Sequence, residues 1–283
     1  MSVYFDTNII RYLRDGLRDQ PLSQEEKRHV VLSPISVLEL VSQIAAFPDE
    51  ALGAIHALGS WVDVMHADLL GWRDVFIAHW VFSREIPDEV SEGLMRVLTV
   101  CYESEVPDDK LREDAGALSE FLETAKRRKA ALLENAACTI KQNPRDNSKD
   151  NLRGGIHLAI ASGLRTQVAA SDEIPYDAIA GFLPAYFEYH TDLIARAISN
   201  DEFNFFSRKH LNDHFDAEQL VFLADPSLHF FTADQGYLCA ARVEPRVHIL
   251  EARLVEDSAI APNLMTAEIR QAQATTAAIK SRS

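Results

Sequence analysis

Four short apolar runs constrain this chain more than any other feature. Val3-Tyr4-Phe5 and Val30-Val31-Leu32-Ser33 lie near its start, and Leu228–Thr232 and Val247–Leu250 lie far downstream. Each reads as a short strand, and helical spacing lies between them. After the first, Ile9, Ile10, Leu13 and Leu17 fall near a helical repeat; after the second, Leu38, Val41, Ile44 and Ala45 do so from about Val37. Phe215–Ala224 and Gly236–Val243 read as the helices around the last two strands. Strands alternating with helices predict an α/β fold with a central parallel sheet covered on both sides. The stretch between is helical throughout, most clearly over Leu111–Thr139, where Leu118, Phe121, Leu122, Ala125, Leu132 and Leu133 recur at three- and four-residue steps. Residues 142–155 read as a polar loop, with Asn143-Pro144 and Gly154-Gly155. The predicted organisation is a core from 1–50 and 201–255, a long α-helical insertion over 51–200, and a tail or terminal helix over 262–283.

At 283 residues with 47% hydrophobic side chains, the chain can bury a sizeable core. No run is long and apolar enough to span a membrane, and the start has no cleavable leader, so the expected compartment is the cytoplasm with no membrane partner. Cys101, Cys138 and Cys239 are too scattered for a disulfide framework or a zinc site.

Four acidic residues stand at the edges of these elements. Asp6 follows the first strand; Glu39 falls three residues after Ser36; Asp216 opens the helix before the third strand; Asp234 follows that strand after Thr232 and Ala233. Singly, each has a plain reading as a helix cap, and Ser36 with Glu39 matches a capping box. Asp213 competes with Asp216, one helical turn away. Open parallel sheets bind ligands at the carboxyl ends of their strands, where Asp6 and Asp234 would lie. Converging carboxylates repel unless a cation neutralises them, and hard divalent ions take oxygen ligands.

These motifs resemble a PIN-domain nuclease. That family carries Asp-Thr-Asn after its first strand, as Asp6-Thr7-Asn8 does; a Glu in the first turn of its second helix, often behind a Ser, as Ser36 and Glu39 do; an Asp opening a helix near the C-terminal end, matched by Asp216 or Asp213; and Thr-x-Asp after a strand and then an aromatic, matched by Thr232-Ala233-Asp234 and Tyr237. The resemblance covers about residues 1–50 and 205–252, and the long middle departs from it. It implies a three-layer αβα arrangement around a parallel sheet. It implies that these acids bind Mg2+ or Mn2+, and phosphodiester hydrolysis is served by two such ions: Asp6 is expected to bridge them, Asp216 (or Asp213) and Asp234 to complete their ligation, Glu39 to hold a metal or its water, and Asn8 and Thr232 to orient a carboxylate or contact phosphate. It implies hydrolysis of RNA, and either an inhibitor or a regulatory protein as partner. The alternative is a catalytically inactive PIN-like module that binds RNA or protein.

The net charge of −15 does not announce a nucleic-acid partner. Positive charge is concentrated instead. Lys126, Arg127, Arg128, Lys129, Lys141, Arg145, Lys149 and Arg153 outnumber Glu134, Asp146 and Asp150. With Arg11 on the first helix, Lys126, Arg127, Arg128, Lys129, Arg145, Lys149 and Arg153 are the expected phosphate contacts. Arg14 and Arg18, and the cluster Arg208-Lys209-His210, are further basic candidates.

Overall fold

The computed structural model describes residues 2–10, 22–142, 149–169 and 174–250. Arg11, Arg14, Arg18, Arg145 and the 262–283 tail lie outside these, and the side chains of Lys149, Arg208 and Lys209 are not described. The fold is mixed α/β and mostly helical, around a small parallel sheet. Strands β1 (Ser2–Phe5), β2 (Leu228–Thr232) and β3 (Val247–Ile249) lie in the order β1-β2-β3, with Tyr4 opposite Phe230 and Thr232 opposite Ile249. Successive strand residues point to opposite faces. Val3, Tyr4 and Phe5 are each at most 2% exposed, so both faces of β1 are covered.

The second predicted strand is reduced to bridges. Val30 pairs with Val3 and Leu32 with Leu69, both parallel. Val31 N–H donates to the Val3 carbonyl (2.9 Å), and Leu70 N–H donates to that of Leu32 (2.9 Å). The run therefore follows the free edge of β1 and carries pairing outward to residues 68–70. It ends where Ser33 caps the next helix: the Ser33 hydroxyl accepts from Ile35 N–H, and Pro34 takes a first-turn position where its missing donor costs nothing.

Helix α1 begins at residue 7, and its described part ends at residue 10. The others are α2 (Gln24–Lys27), α3 (Pro34–Ser42), α4 (Pro48–Leu58), α5 (Arg73–Phe82), α6 (Glu89–Glu103), α7 (Asp109–Gln142), α8 (Lys149–Gln167), α9 (Tyr176–Phe182), α10 (Pro184–Ser199), α11 (Arg208–Asp216) and α12 (Leu238–Val243). Because α3 starts at Pro34, Ser36 and Glu39 sit too far inside it to form the predicted capping box. The expected helix over 215–224 divides instead into the end of α11 and a 3-10 segment, Ala217–Ala224, so Asp216 closes a helix rather than opening one. The expected loop over 142–155 is overturned from residue 149 onward by α8, where Gly154 and Gly155 have nothing within 4 Å of an added Cβ and so mark no turn.

The stretch 51–200 shares one continuous core with the sheet. Trp61 is fully buried, its ring edge-on to Phe5 at 6.1 Å. The buried stripe of α7 runs Leu111, Ala115, Leu122, Lys126, Ala130, Leu133, Ala137, with one lysine amid apolar residues. The three cysteines are unpaired, and only Cys101 is buried. Among the described residues no helix is long and apolar enough to cross a membrane.

Candidate functional site

Parallel strands deliver their carboxyl ends to one edge of a sheet, and the residues just beyond them become neighbours. Asp6 immediately follows β1, and Asp234 follows β2 by two residues. Asp6 N–H donates to the Phe231 carbonyl (3.0 Å), which extends the ladder by one step and fixes the aspartate at the sheet's lip. Its carboxylate Oδ2 accepts from Thr232 Oγ1 (2.9 Å) and Asn8 Nδ2 (3.4 Å). Thr232 Oγ1 in turn accepts from Asp234 N–H (3.0 Å). Asn8 and Thr232 thus orient Asp6. Asp234 also caps the following turn, with Oδ1 accepting from Gly236 N–H (2.7 Å), so capping and facing the pocket coexist in one side chain.

The remaining acids arrive on helices. Glu39, from α3, accepts a short hydrogen bond from Thr7 Oγ1. A buried chain sets the depth of α3: Ser33 Oγ donates to Gln219 Oε1 (2.6 Å), Gln219 Nε2 to Ser36 Oγ (2.8 Å), and Ser36 Oγ to the Phe5 carbonyl (2.9 Å). Gln219 lies in the 3-10 segment right after Asp216, so one side chain ties the helix of Glu39 to the backbone that follows Asp216. The Asp216 carbonyl accepts from Tyr237 OH (2.8 Å). Asp213 Oδ2 lies 2.7 Å from His210 Nδ1.

Asp6, Glu39, Asp213, Asp216 and Asp234 all line one pocket of about 530 Å³, with Thr7, Asn8 and Gly236 beside them. The structure thus brings together every acid singled out in the sequence, drawn from the two ends of the chain. Burial, then the nearby Glu39 charge, pushes the Asp6 carboxyl up from 3.8 to about 7, against the lowering hydrogen bond from Thr232. Burial and the charges of Glu39, Asp6 and Asp234 raise Asp216 well above the ordinary carboxyl range. Burial, and then the charge of Asp216, raise the phenols of Tyr189 and Tyr237. Negative potential is therefore concentrated here. Among the described residues no three Asp, Glu, His or Cys side chains are gathered as a formed ligand set; the carboxylates face a shared cavity without meeting at one point.

The basic residues divide differently from the sequence reading. Arg127, Arg128 and Arg153 are exposed, and Arg153 pairs with Glu188. Lys126 and Lys129, expected to meet phosphate from solvent, turn inward. Lys129 Nζ lies 2.6 Å from Glu218 Oε1 and donates to Tyr186 OH (2.8 Å). Arg73 completes that buried cluster through its own ion pair with Glu218. Lys126 Nζ donates to Asn212 Oδ1 (2.9 Å) and stands 3.7 Å from Glu39 Oε1, at the acid pocket itself. Tyr189, Arg196 and Asn212 also line the pocket and were not picked out beforehand. Asn212 precedes Asp216 by one helical turn, which is a usable signal; nothing in the sequence aims the Tyr189–Arg196 face of α10 at the acids. Compared with known proteins, the chain matches no family model, no curated protein and no solved structure.

Proposed function

We propose that this pocket holds Mg2+ or Mn2+ and that the protein hydrolyses phosphodiester bonds, with RNA as substrate. The observation that carries the reading is the meeting of Asp6, Glu39, Asp216 and Asp234 in one cavity with the Asp6 and Asp216 carboxyls raised. Four acids acting only as caps have no reason to share a cavity, and a fold keeps such repulsion only where a ligand relieves it. The donors fit the group in kind: all are carboxylate oxygens, the ligands that hard divalent ions prefer.

A bound divalent ion would supply charge neutralisation at a phosphate and a more acidic water. The chain's own part is to aim the donors. Thr232 and Asn8 fix Asp6 by the hydrogen bonds given above, and Gly236 fixes Asp234. The exposed Arg127 and Arg128 are the basic groups open to a phosphate backbone, while Arg196, at the pocket, is paired with Asp192 and Arg153 with Glu188. The doubly covered parallel sheet fits the three-layer, PIN-like arrangement that the sequence resembles. The choice of RNA, and of a cytoplasmic setting, rests on that resemblance and on the sequence.

The test is cleavage of labelled RNA with Mn2+ or Mg2+ by the full chain and by Asp6→Asn. Metal-dependent cleavage that falls at least a hundredfold in the variant is the expected result. Equal activity in both proteins removes the mechanism. No cleavage in either leaves the inactive binding module as the better reading.

A further inference from the structure

Lys126 interrupts the apolar stripe of α7 and is only 6% exposed. Its ammonium lies 5.6 Å from the centre of the Phe215 ring, donates to Asn212, and stands 3.7 Å from Glu39. Burying an ammonium is costly unless it meets an opposite charge, and the charge it meets is a pocket carboxylate. Asp213 likewise has a partner in His210. That leaves Asp6, Asp216 and Asp234, with which no basic side chain among the described residues forms an ion pair.

We infer that Lys126 is a built-in cation standing where a second metal ion would otherwise be needed: the pocket takes one divalent ion, on Asp6, Asp216 and Asp234, and leaves Glu39 to the lysine. This rests on the metal-binding reading above. Its physical basis is that an ammonium is a compact point charge which, at this distance, offsets a carboxylate much as an ion would. Two ions sharing such a site would lie about 3.5–4 Å apart, and an ammonium already holds the Glu39 side of it.

The probe is Mn2+ itself, titrated into the full chain at pH 7.5 with free ion followed by electron paramagnetic resonance. Wild type is expected to bind one Mn2+ per chain. Lys126→Met is expected to bind two, and Lys126→Arg, which keeps the charge, one. Glu39→Gln should still bind one, weakened by no more than the roughly 10–100-fold that losing an outer partner costs. Two ions on wild type, one on a folded Lys126→Met, or loss of the ion in Glu39→Gln overturns the inference. If Lys126→Met does not fold, as judged by circular dichroism, the wild-type count and Glu39→Gln decide. No Mn2+ on wild type is a separate failure: it removes the metal-binding reading on which the inference rests.

Discussion

Asp6→Asn should make the protein more stable while removing its proposed activity. The ordinary carboxyl value is near 3.9, and in the folded pocket Asp6 stands at about 7. Below the lower value the side chain is protonated in both folded and unfolded states and contributes no pH dependence. Between the two, the unfolded chain releases the proton and the folded protein keeps it, so stability falls as pH rises; above 7 the loss is complete. About three pH units at 1.36 kcal/mol each set a ceiling of roughly 4 kcal/mol. Asp6 is 4% exposed, so water screens little of this. Asparagine has the same shape, still accepts from Thr232, and removes a charge that also raises Asp216. At about 2–4 °C per kcal/mol, the variant should melt above wild type at pH 8 in EDTA, by at most roughly 8–16 °C. The gain should shrink to about a third at pH 5, where most of the window is still ahead. Circular dichroism melts of both proteins at the two pH values decide it. Mn2+ should narrow the gap, adding about 2.7 kcal/mol to wild type at a hundredfold excess over Kd and little to the variant. A variant that melts below wild type at pH 8 without metal, or gains equally at both pH values, refutes the account of Asp6 as a carboxyl held up by burial and neighbouring charge.

Three further outcomes are expected. Glu218→Gln leaves Lys129 and Arg73 without their shared counter-charge and should cost about 3–5 kcal/mol, read from the urea midpoint; a loss below about 1 kcal/mol would show the cluster to be well solvated. Gly236→Ala places a Cβ 3.2 Å from Asp234 Oδ1, so it should weaken Mn2+ binding severalfold with a melting point nearly unchanged; unaltered affinity would show that Asp234 does not depend on its capped geometry. Reversing the exposed Arg127 and Arg128 to Glu should weaken RNA binding and flatten its salt dependence by about two ions, whereas an unchanged salt slope would take α7 out of the RNA path.

The strands and the acids were legible because the information is local. Val3–Phe5 is apolar on both faces and Leu228–Thr232 nearly so, as a covered strand requires, and an acid just beyond such a strand is carried to the sheet's edge whatever lies between. Boundaries set by a single residue were harder. Pro34 is equally readable as the end of an extended run or the opening of a helix; the Ser33 cap decides it, and the shift moves Glu39 from a first turn to the second. Gly154-Gly155 signals a turn only where the backbone needs positive φ, and in α8 both are helical. The role of Gln219 was not legible, since its partners Ser33 and Ser36 lie 186 and 183 residues away.

The basic cluster shows how a correct count can still mislead. Lys126 to Lys129 are four consecutive positive residues, and a sum over sequence treats them as one patch. On a helix they cannot be one. At 3.6 residues per turn, positions 126 and 129 share a face while 127 and 128 point elsewhere. The structure shows which face is which: the buried stripe runs Leu122, Lys126, Ala130, Leu133, while Phe121 and Leu132 of the apolar repeat are exposed. Arg127 and Arg128 therefore face solvent and the two lysines turn inward, where a buried ammonium needs an acid. Both do, Lys126 at Glu39 and Lys129 at Glu218, and through the first of these contacts α7 places an ammonium beside a carboxylate of the acid pocket.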